Sequence, residues 1–369
     1  MLKKKNRLRT PLATAGLVGA LSIALVACGG TANPASTGEG AAPQSDVTLI
    51  WEATGASEDR RKIAYQDPFT AETGIKIESV SSPSAVAQIQ TMVDAGNVIW
   101  DMTHKGSYTA NQYCGTLFEE LSFDGLSVDA FPEGSTTPCS RPVARYGSAF
   151  AYDAAVYTDK VPTKITDFFD VETFPGKRVI LGTNARGVLE AALVADGVHP
   201  DDLFPMDVDR AIAKLDTIKD DIIFSPTLPA LQQTLVDKQA TMTLALTGTL
   251  PTANDAGATM APVWDFTAWS FDAFMVIKGS KHAAEAEQFI EFALQPERVK
   301  HYAELGGTTP VRLDVDLATI KYTDSQKLFN PFIGEVIDEE RGTLTLQDPD
   351  WWAENSSSAT EAYVAWQVG

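Results

Sequence analysis

The chain has 369 residues, of which 44% are hydrophobic and 9% aromatic, enough to fill packed cores and to argue against disorder. Its 29 basic and 49 acidic residues leave a net charge of −20, which argues against nucleic acid and against a polybasic grip on lipid head groups. The length exceeds what one hydrophobic core usually serves, so two domains or lobes are expected.

In chain order, Lys3, Lys4, Lys5, Arg7 and Arg9 precede an apolar run over 17–27. That is the plan of a secretory leader, too short to remain as a spanning helix. The small residues before Cys28 resemble the bacterial lipoprotein signal, in which the cysteine receives lipid and becomes the mature N-terminus. Residues 1–27 are therefore expected to be the signal peptide, and 28–45 the lipidated cysteine and a Ser/Thr/Gly/Pro-rich tether. With the leader's five basic residues set aside, 24 basic and 49 acidic residues leave −25.

Strands are expected over 47–51, 75–78 and 98–102, with helices over 68–73, stopping at Gly74, and through Val86, Ile89 and Val93, stopping at Gly96. Such alternation is an α/β pattern with parallel pairing. It resumes with strands at 178–181, 242–246 and 274–277. Helices are expected over 188–195, behind an Asp207 cap, and over 281–294. Cys114 and Cys139, with 24 residues between them, are expected to form a disulfide outside the cytoplasm, the alternative being two buried free thiols.

Enzyme signatures are missing. There is no Gly-x-Ser-x-Gly elbow, phosphate loop or dinucleotide fingerprint. His104, His199, His282 and His301 are scattered without metal-ligand spacing. Neither a metal nor a cofactor is expected, and binding is favoured over catalysis.

A resemblance runs along nearly the whole body. It rests on Thr166-Asp167-Phe168-Phe169-Asp170, Phe174-Pro175-Gly176-Lys177-Arg178, Ala195-Asp196-Gly197-Val198 and Phe204-Pro205-Met206-Asp207. Phe69-Thr70-Ala71-Glu72-Thr73-Gly74 and Asp350-Trp351-Trp352 fit the same pattern. The chain resembles the extracellular solute-binding proteins of ABC importers, in the branch related to spermidine/putrescine-binding proteins. The resemblance implies a two-lobe α/β fold with two crossover segments, near 146–152 and 270–277, and a ligand cleft between lobes that close by hinge motion. The expected division is 46–148 for the first part of lobe 1 and 149–275 for lobe 2. Residues 276–369 then return to lobe 1, and the C-terminal segment packs across both lobes. It also implies a monomer that hands a small cationic or zwitterionic solute to ABC permease subunits at the membrane.

Among candidate ligand-binding residues, Asp272 at the second crossing matches the acid with which the family holds a ligand amine. Tyr108 matches a family tyrosine after the third strand. Trp51, Trp264 and Trp269 are candidate walls of an amine pocket, where a cation over a ring gains about 0.5–2 kcal/mol. Two positions where polyamine binders carry acids read Asn184 and Gly187, so a long diamine would leave one ammonium unpaired, at roughly 3–5 kcal/mol. Family site residues are also absent at Leu246 and Thr249. Arg186, at a strand-to-helix turn, points instead to a ligand with both carboxylate and amine, such as 4-aminobutyrate. A surface sensor or adhesive lipoprotein with a remodelled cleft is the alternative, and a surface enzyme on the same fold a more distant one.

Overall fold

The structure, a computed structural model, describes residues 44–53, 58–82, 85–122, 125–132, 135–306, 309–332 and 343–369. The expected leader, the lipidation of Cys28 and all but the end of the tether lie outside the described residues.

The chain begins with β1 (Thr48–Glu52) and α1 (Glu58–Arg61), which passes through a π-helical turn (Lys62–Gln66) into α2 (Asp67–Thr73). Next come β2 (Lys76–Val80), α3 (Ala85–Asp94), β3 (Met102–Gly106) and α4 (Ser107–Tyr113). The long β4 (Arg141–Asp153) leads to β5 (Arg178–Leu181), α5 (Val188–Ala195), α6 (Val208–Asp216) and β6 (Ile222–Ser225). After these lie α7 (Leu228–Val236), β7 (Met242–Leu246) and α8 (Leu250–Asp255). The longer β8 (Met260–Val276) returns to α9 (Ala283–Ala293), α10 (Pro296–Glu304), β9 (Thr309–Pro310), α11 (Asp324–Leu328), β10 (Thr343–Leu346) and α12 (Pro349–Val368).

The strands join in the order β2-β1-β3-β8-β4-β7-β5-β6, with β10 added to β8 and β9 to β4. β1, β2 and β3 run parallel, as do β5, β6 and β7. The contacts β3–β8, β8–β4 and β4–β7 are all antiparallel. Three reversals turn the second set of parallel strands against the first. β3 ends where Gly106 pairs Asp272, and β7 ends where Leu246 pairs Ser148. Both sets of carboxyl ends therefore converge on the middle of the β4–β8 ribbon, the place where open α/β sheets bind ligands.

Each half buries its own apolar face. Trp51, Phe69, Met102, Phe274 and Phe289 fill one core, and Phe150, Phe168, Ile180, Leu189 and Leu215 another. The expected helices at 188–195 and behind Asp207 form, and the Asp207 side chain accepts from Arg210 N at 3.0 Å, a helix N-cap. Trp352 and Tyr363 on α12 are buried in the second core, and Asn111 on α4 donates to Asp350 at 2.8 Å. Thus the C-terminal helix touches both halves. Among the described residues, no helix is long and apolar enough to cross a membrane.

The third strand differs from expectation: it spans Met102–Gly106, and only Met102 of the expected 98–102 belongs to it. The Asp101 carboxylate accepts from Ile50 N at 2.7 Å and from Ser280 Oγ at 2.6 Å. It occupies the donor that a longer β1–β3 ladder would use, while Ile99 stays 62% exposed.

A disulfide joins Cys114 at the end of α4 to Cys139 just before β4, with Cα atoms 5.5 Å apart. Cross-linking a loop of this length restricts the unfolded chain by roughly 3 kcal/mol. Replacing both cysteines with serine should lower the unfolding free energy by about that amount, read as a lower urea midpoint. An unchanged midpoint would show that the loop is already ordered in the unfolded ensemble.

Candidate functional site at the crossing ribbon

Side chains alternate across a strand. Tyr146 and, through the pairing of Asp272 with Ala144, Asp272 itself fall on one face of the ribbon. Arg186 approaches that face from the β5–α5 turn. Its Nη2 donates to the Tyr146 hydroxyl and to Gln347 Oε1 (3.2 Å), and its Nε donates weakly to the same oxygen at 3.4 Å. The guanidinium carbon stacks 4.4 Å from the centroid of the Tyr108 ring. Gln347 passes the polar chain on, donating to Glu190 Oε1 at 2.9 Å, and the Trp352 indole donates to the same oxygen at 3.0 Å. The other Glu190 oxygen accepts from Gly187 N at 2.6 Å.

Two glycines make this approach possible. A Cβ on Gly106 would lie 2.6 Å from the Tyr108 ring and 2.7 Å from Arg186 Nη1. Gly187 has φ +78°, and a Cβ there would meet Ser148 Cβ and Oγ at 2.3 Å. The position where polyamine binders carry an acid therefore has no room for a side chain. Asn184 is taken up locally, its Oδ1 accepting from Arg186 N at 3.1 Å, which shapes the turn.

Burial works against the charge on Arg186, but Tyr146, Tyr108, Asp272 and Glu190 outweigh it, so its pKa moves upward and it stays protonated. Burial pushes Tyr146 to about 12, with Arg186 pulling the other way. Asp272 is raised to about 6 by burial, held back by the positive charges of Arg186 and Lys105. Lys105 is itself neutralised by Glu52 at 2.8 Å, and Glu52 also accepts from Thr103 Oγ1 at 2.7 Å. Asp272 has no ion pair or hydrogen bond to its carboxylate among the described residues. It is a half-buried acid whose charge is not locally matched.

The structure thus gathers Asp272, Arg186 and Tyr108, with Asn184 in the adjoining turn, and adds Tyr146, Gln347, Glu190 and Lys105. The tryptophans lie elsewhere. Trp51 is 1% exposed, in the first core between His104, Phe274 and Phe289, with Arg61 over its ring. Trp264 lies in the bulge where β4 pairing jumps from Thr267 to Val263. Trp269 is on the opposite face of the ribbon, packed on Phe271 and Phe332. His104 sits half-buried beside Trp51, and desolvation lowers it to about 3, so it is neutral. No cluster of three metal-ligating side chains occurs among the described residues.

A raised folded-state pKa means that the ionised carboxylate costs stability, absent below the unfolded value near 4 and complete above about 6. Asp272→Asn should therefore gain stability relative to the parent between pH 4 and pH 7.5, by on the order of 2 kcal/mol. Urea titrations of both proteins at the two pH values check this, and a pH-independent difference would contradict it.

A family model described as bacterial extracellular solute-binding protein matches residues 64–330. The chain is 29% identical over 330 residues to the gamma-aminobutyric acid-binding protein of Pseudomonas aeruginosa, covering 88% of this chain and 91% of that protein. It is similar to the solved Atu4243–GABA receptor (29% identity, TM-score 0.75), covering 87% of this chain and 97% of that one. It is also similar to the binding protein AgtB of A. tumefaciens R10 in complex with agropinic acid (26% identity, TM-score 0.75), with 88% and 100% covered. With two α/β lobes, a crossing ribbon and a match over most of its body, the chain belongs to the bacterial extracellular solute-binding proteins, extracytoplasmic receptors for ABC importers rather than enzymes.

Proposed function

We propose that this receptor captures a small amine-bearing solute, an ω-amino acid such as 4-aminobutyrate, on the ribbon face that carries Asp272. The observation that carries this reading is the Asp272 carboxylate itself. It sits where both sets of parallel strands end, it accepts no hydrogen bond from a described residue, and burial opposes its charge. An ammonium group supplies the missing counter-charge. Arg186 faces the same place with Nη1 still free of hydrogen bonds to described residues, a donor for a carboxylate at the ligand's other end. The similarity to two GABA receptors supports this ligand class. The steric closure at Gly187 disfavours a long diamine, since its second ammonium finds no acid there.

In this reading residues 46–148 and part of 276–369 form lobe 1, 149–275 form lobe 2, and the receptor works as a monomer. A lipid on Cys28 and the tether through residue 45 hold it beside its permease, raising the effective concentration of the pair without new contacts.

Calorimetry tests the ligand. Asp272→Asn should weaken 4-aminobutyrate at least about tenfold, or 1.4 kcal/mol, at pH 7.5. In the parent, affinity should fall about tenfold between pH 7.5 and pH 5 as Asp272 takes up a proton, and the variant should lack this dependence. Equal affinity of parent and variant for every ω-amino acid would remove Asp272 from the site.

A further inference from the structure

Glu190 is 1% exposed, yet its carboxylate takes no part in the solute contacts proposed above. Burying an acid is costly unless its oxygens are fully bonded. The two oxygens of Glu190 face different tasks. Oε2 accepts from Gly187 N at 2.6 Å and so caps the first turn of α5, as an acid at the third helical position does in a capping box. Oε1 accepts from the Trp352 indole at 3.0 Å and from Gln347 Nε2 at 2.9 Å. Burial raises the Glu190 pKa, while the Gly187 and Trp352 donors and the positive charge of Arg186 oppose that rise. Every one of these hydrogen-bond neighbours is a donor, so the surroundings fit the carboxylate form.

The helix cap accounts for Oε2 and leaves Oε1 to be explained. Gln347, 3% exposed, stands between that oxygen and Arg186. An amide has one donating and one accepting end. The carboxylate in front of Gln347 Nε2 decides which end faces which way. The amide oxygen of Gln347 then turns to Arg186, where it meets Nη2 at 3.2 Å and Nε at 3.4 Å. Arg186 only donates, so a reversed amide would lose its acceptor role there and its donor role at Glu190. The Tyr146 hydroxyl also accepts from Nη2, and the Tyr108 ring lies 4.4 Å from the guanidinium carbon. The remaining nitrogen, Nη1, has no hydrogen bond to a described residue and stands over Gly106, 2.7 Å from where a Cβ there would be. Gly106 is the residue that pairs with Asp272.

We propose that Glu190 is a positioning residue for carboxylate recognition: acting through Gln347, it holds Arg186 in an orientation that leaves Nη1 open over Gly106. A planar fork held along one edge presents its other nitrogen at a fixed place, so less ordering is left for the solute to bring about. This role rests on the proposed capture of an ω-amino acid and adds the source of its preference for a carboxylate over a plain amine. Without the relay Arg186 keeps its charge but not its direction, and the loss falls on the carboxylate end of the solute.

Calorimetry on the mature chain compares 4-aminobutyrate with n-butylamine, which has the same carbon chain and no carboxylate. The proteins are the parent, Glu190→Met, Gln347→Met and the double variant. Glu190→Met removes the α5 cap as well as the relay, whereas Gln347→Met leaves the cap and the Trp352 bond in place and should fold normally. Each single variant should weaken 4-aminobutyrate about tenfold, the loss of one hydrogen bond to a charged group, and leave n-butylamine as in the parent. The double variant should bind 4-aminobutyrate no more weakly than Gln347→Met, because Glu190 acts only through Gln347. Equal losses for both ligands would mean general damage to the fold and overturn the role of Glu190. Unchanged 4-aminobutyrate affinity in Gln347→Met, or a further loss in the double variant, overturns it too. In those cases a loss of both ligands in Asp272→Asn keeps the proposed function, and only the relay falls. If the parent binds neither ligand, both fall together.

Discussion

Everything at the centre of this molecule depends on the antiparallel pairing of β4 with β8. The register runs from Arg141 opposite Phe274 to Asp153 opposite Met260, so two strands of 13 and 17 residues pass through both halves as one ribbon. Each half attaches its parallel strands to a different edge and a different end of that ribbon. Their carboxyl ends meet at its middle because the register leaves them nowhere else to end. A ribbon that served only one half would place Asp272 and Arg186 in unrelated surroundings. Alternation along the strands does the rest, putting Tyr146 and Asp272 on one face and Arg145 and Trp269 on the other.

On the first face, the protein has solved the problem of a buried cation with its own groups. Arg186 reaches a hydroxyl, an amide oxygen and the face of an aromatic ring, while Glu190 lies one hydrogen bond further along. These contacts come from four separate stretches of chain: Tyr108 on α4, Tyr146 on β4, Glu190 on α5 and Gln347 just after β10. Gly106 and Gly187 are small because backbone and guanidinium approach each other there too closely for a Cβ. What reads in the sequence as the loss of an acid at position 187 is, in the structure, a packing requirement set by Ser148.

The fold was legible wherever burial imposes a regular period. β5, α5, α6 and β7 are short, apolar and bounded by turn residues, and they form where their patterns place them. The third strand was misplaced because the signal, an apolar run at 98–100, is pre-strand coil held by the Asp101 side chain. β4 was reached only through the resemblance, which puts a crossing near 146–152, because Arg141, Pro142, Arg145 and Gly147 break the alternation of a strand that is buried for reasons of long-range pairing. α12 escaped because Asn355, Ser356, Ser357 and Ser358 read as loop, although Trp352, Ala359 and Tyr363 bury one side of it. At the site, charge was legible and company was not. Asp272 and Arg186 stand out as residues, whereas Gln347, Glu190 and Tyr146 become partners only through contacts up to 161 residues apart in sequence. The tryptophans mislead because a large ring marks a core as readily as a pocket, as Trp51 does.

The contrast between the two arginines sharpens how this chain handles charge. Desolvating a guanidinium is unfavourable in either place, and the low local polarity that raises the cost also strengthens any partner that is supplied. At Arg186 the partners are built in: a hydroxyl, an amide oxygen and an aromatic face. At Arg145 the built-in partner is only an aromatic ring, which offsets part of the cost but accepts no hydrogen bond from the fork. Asp272 is the mirror case, an acid near cations that do not touch it. Groups of opposite sign without a matching partner thus stand on the two faces of one ribbon.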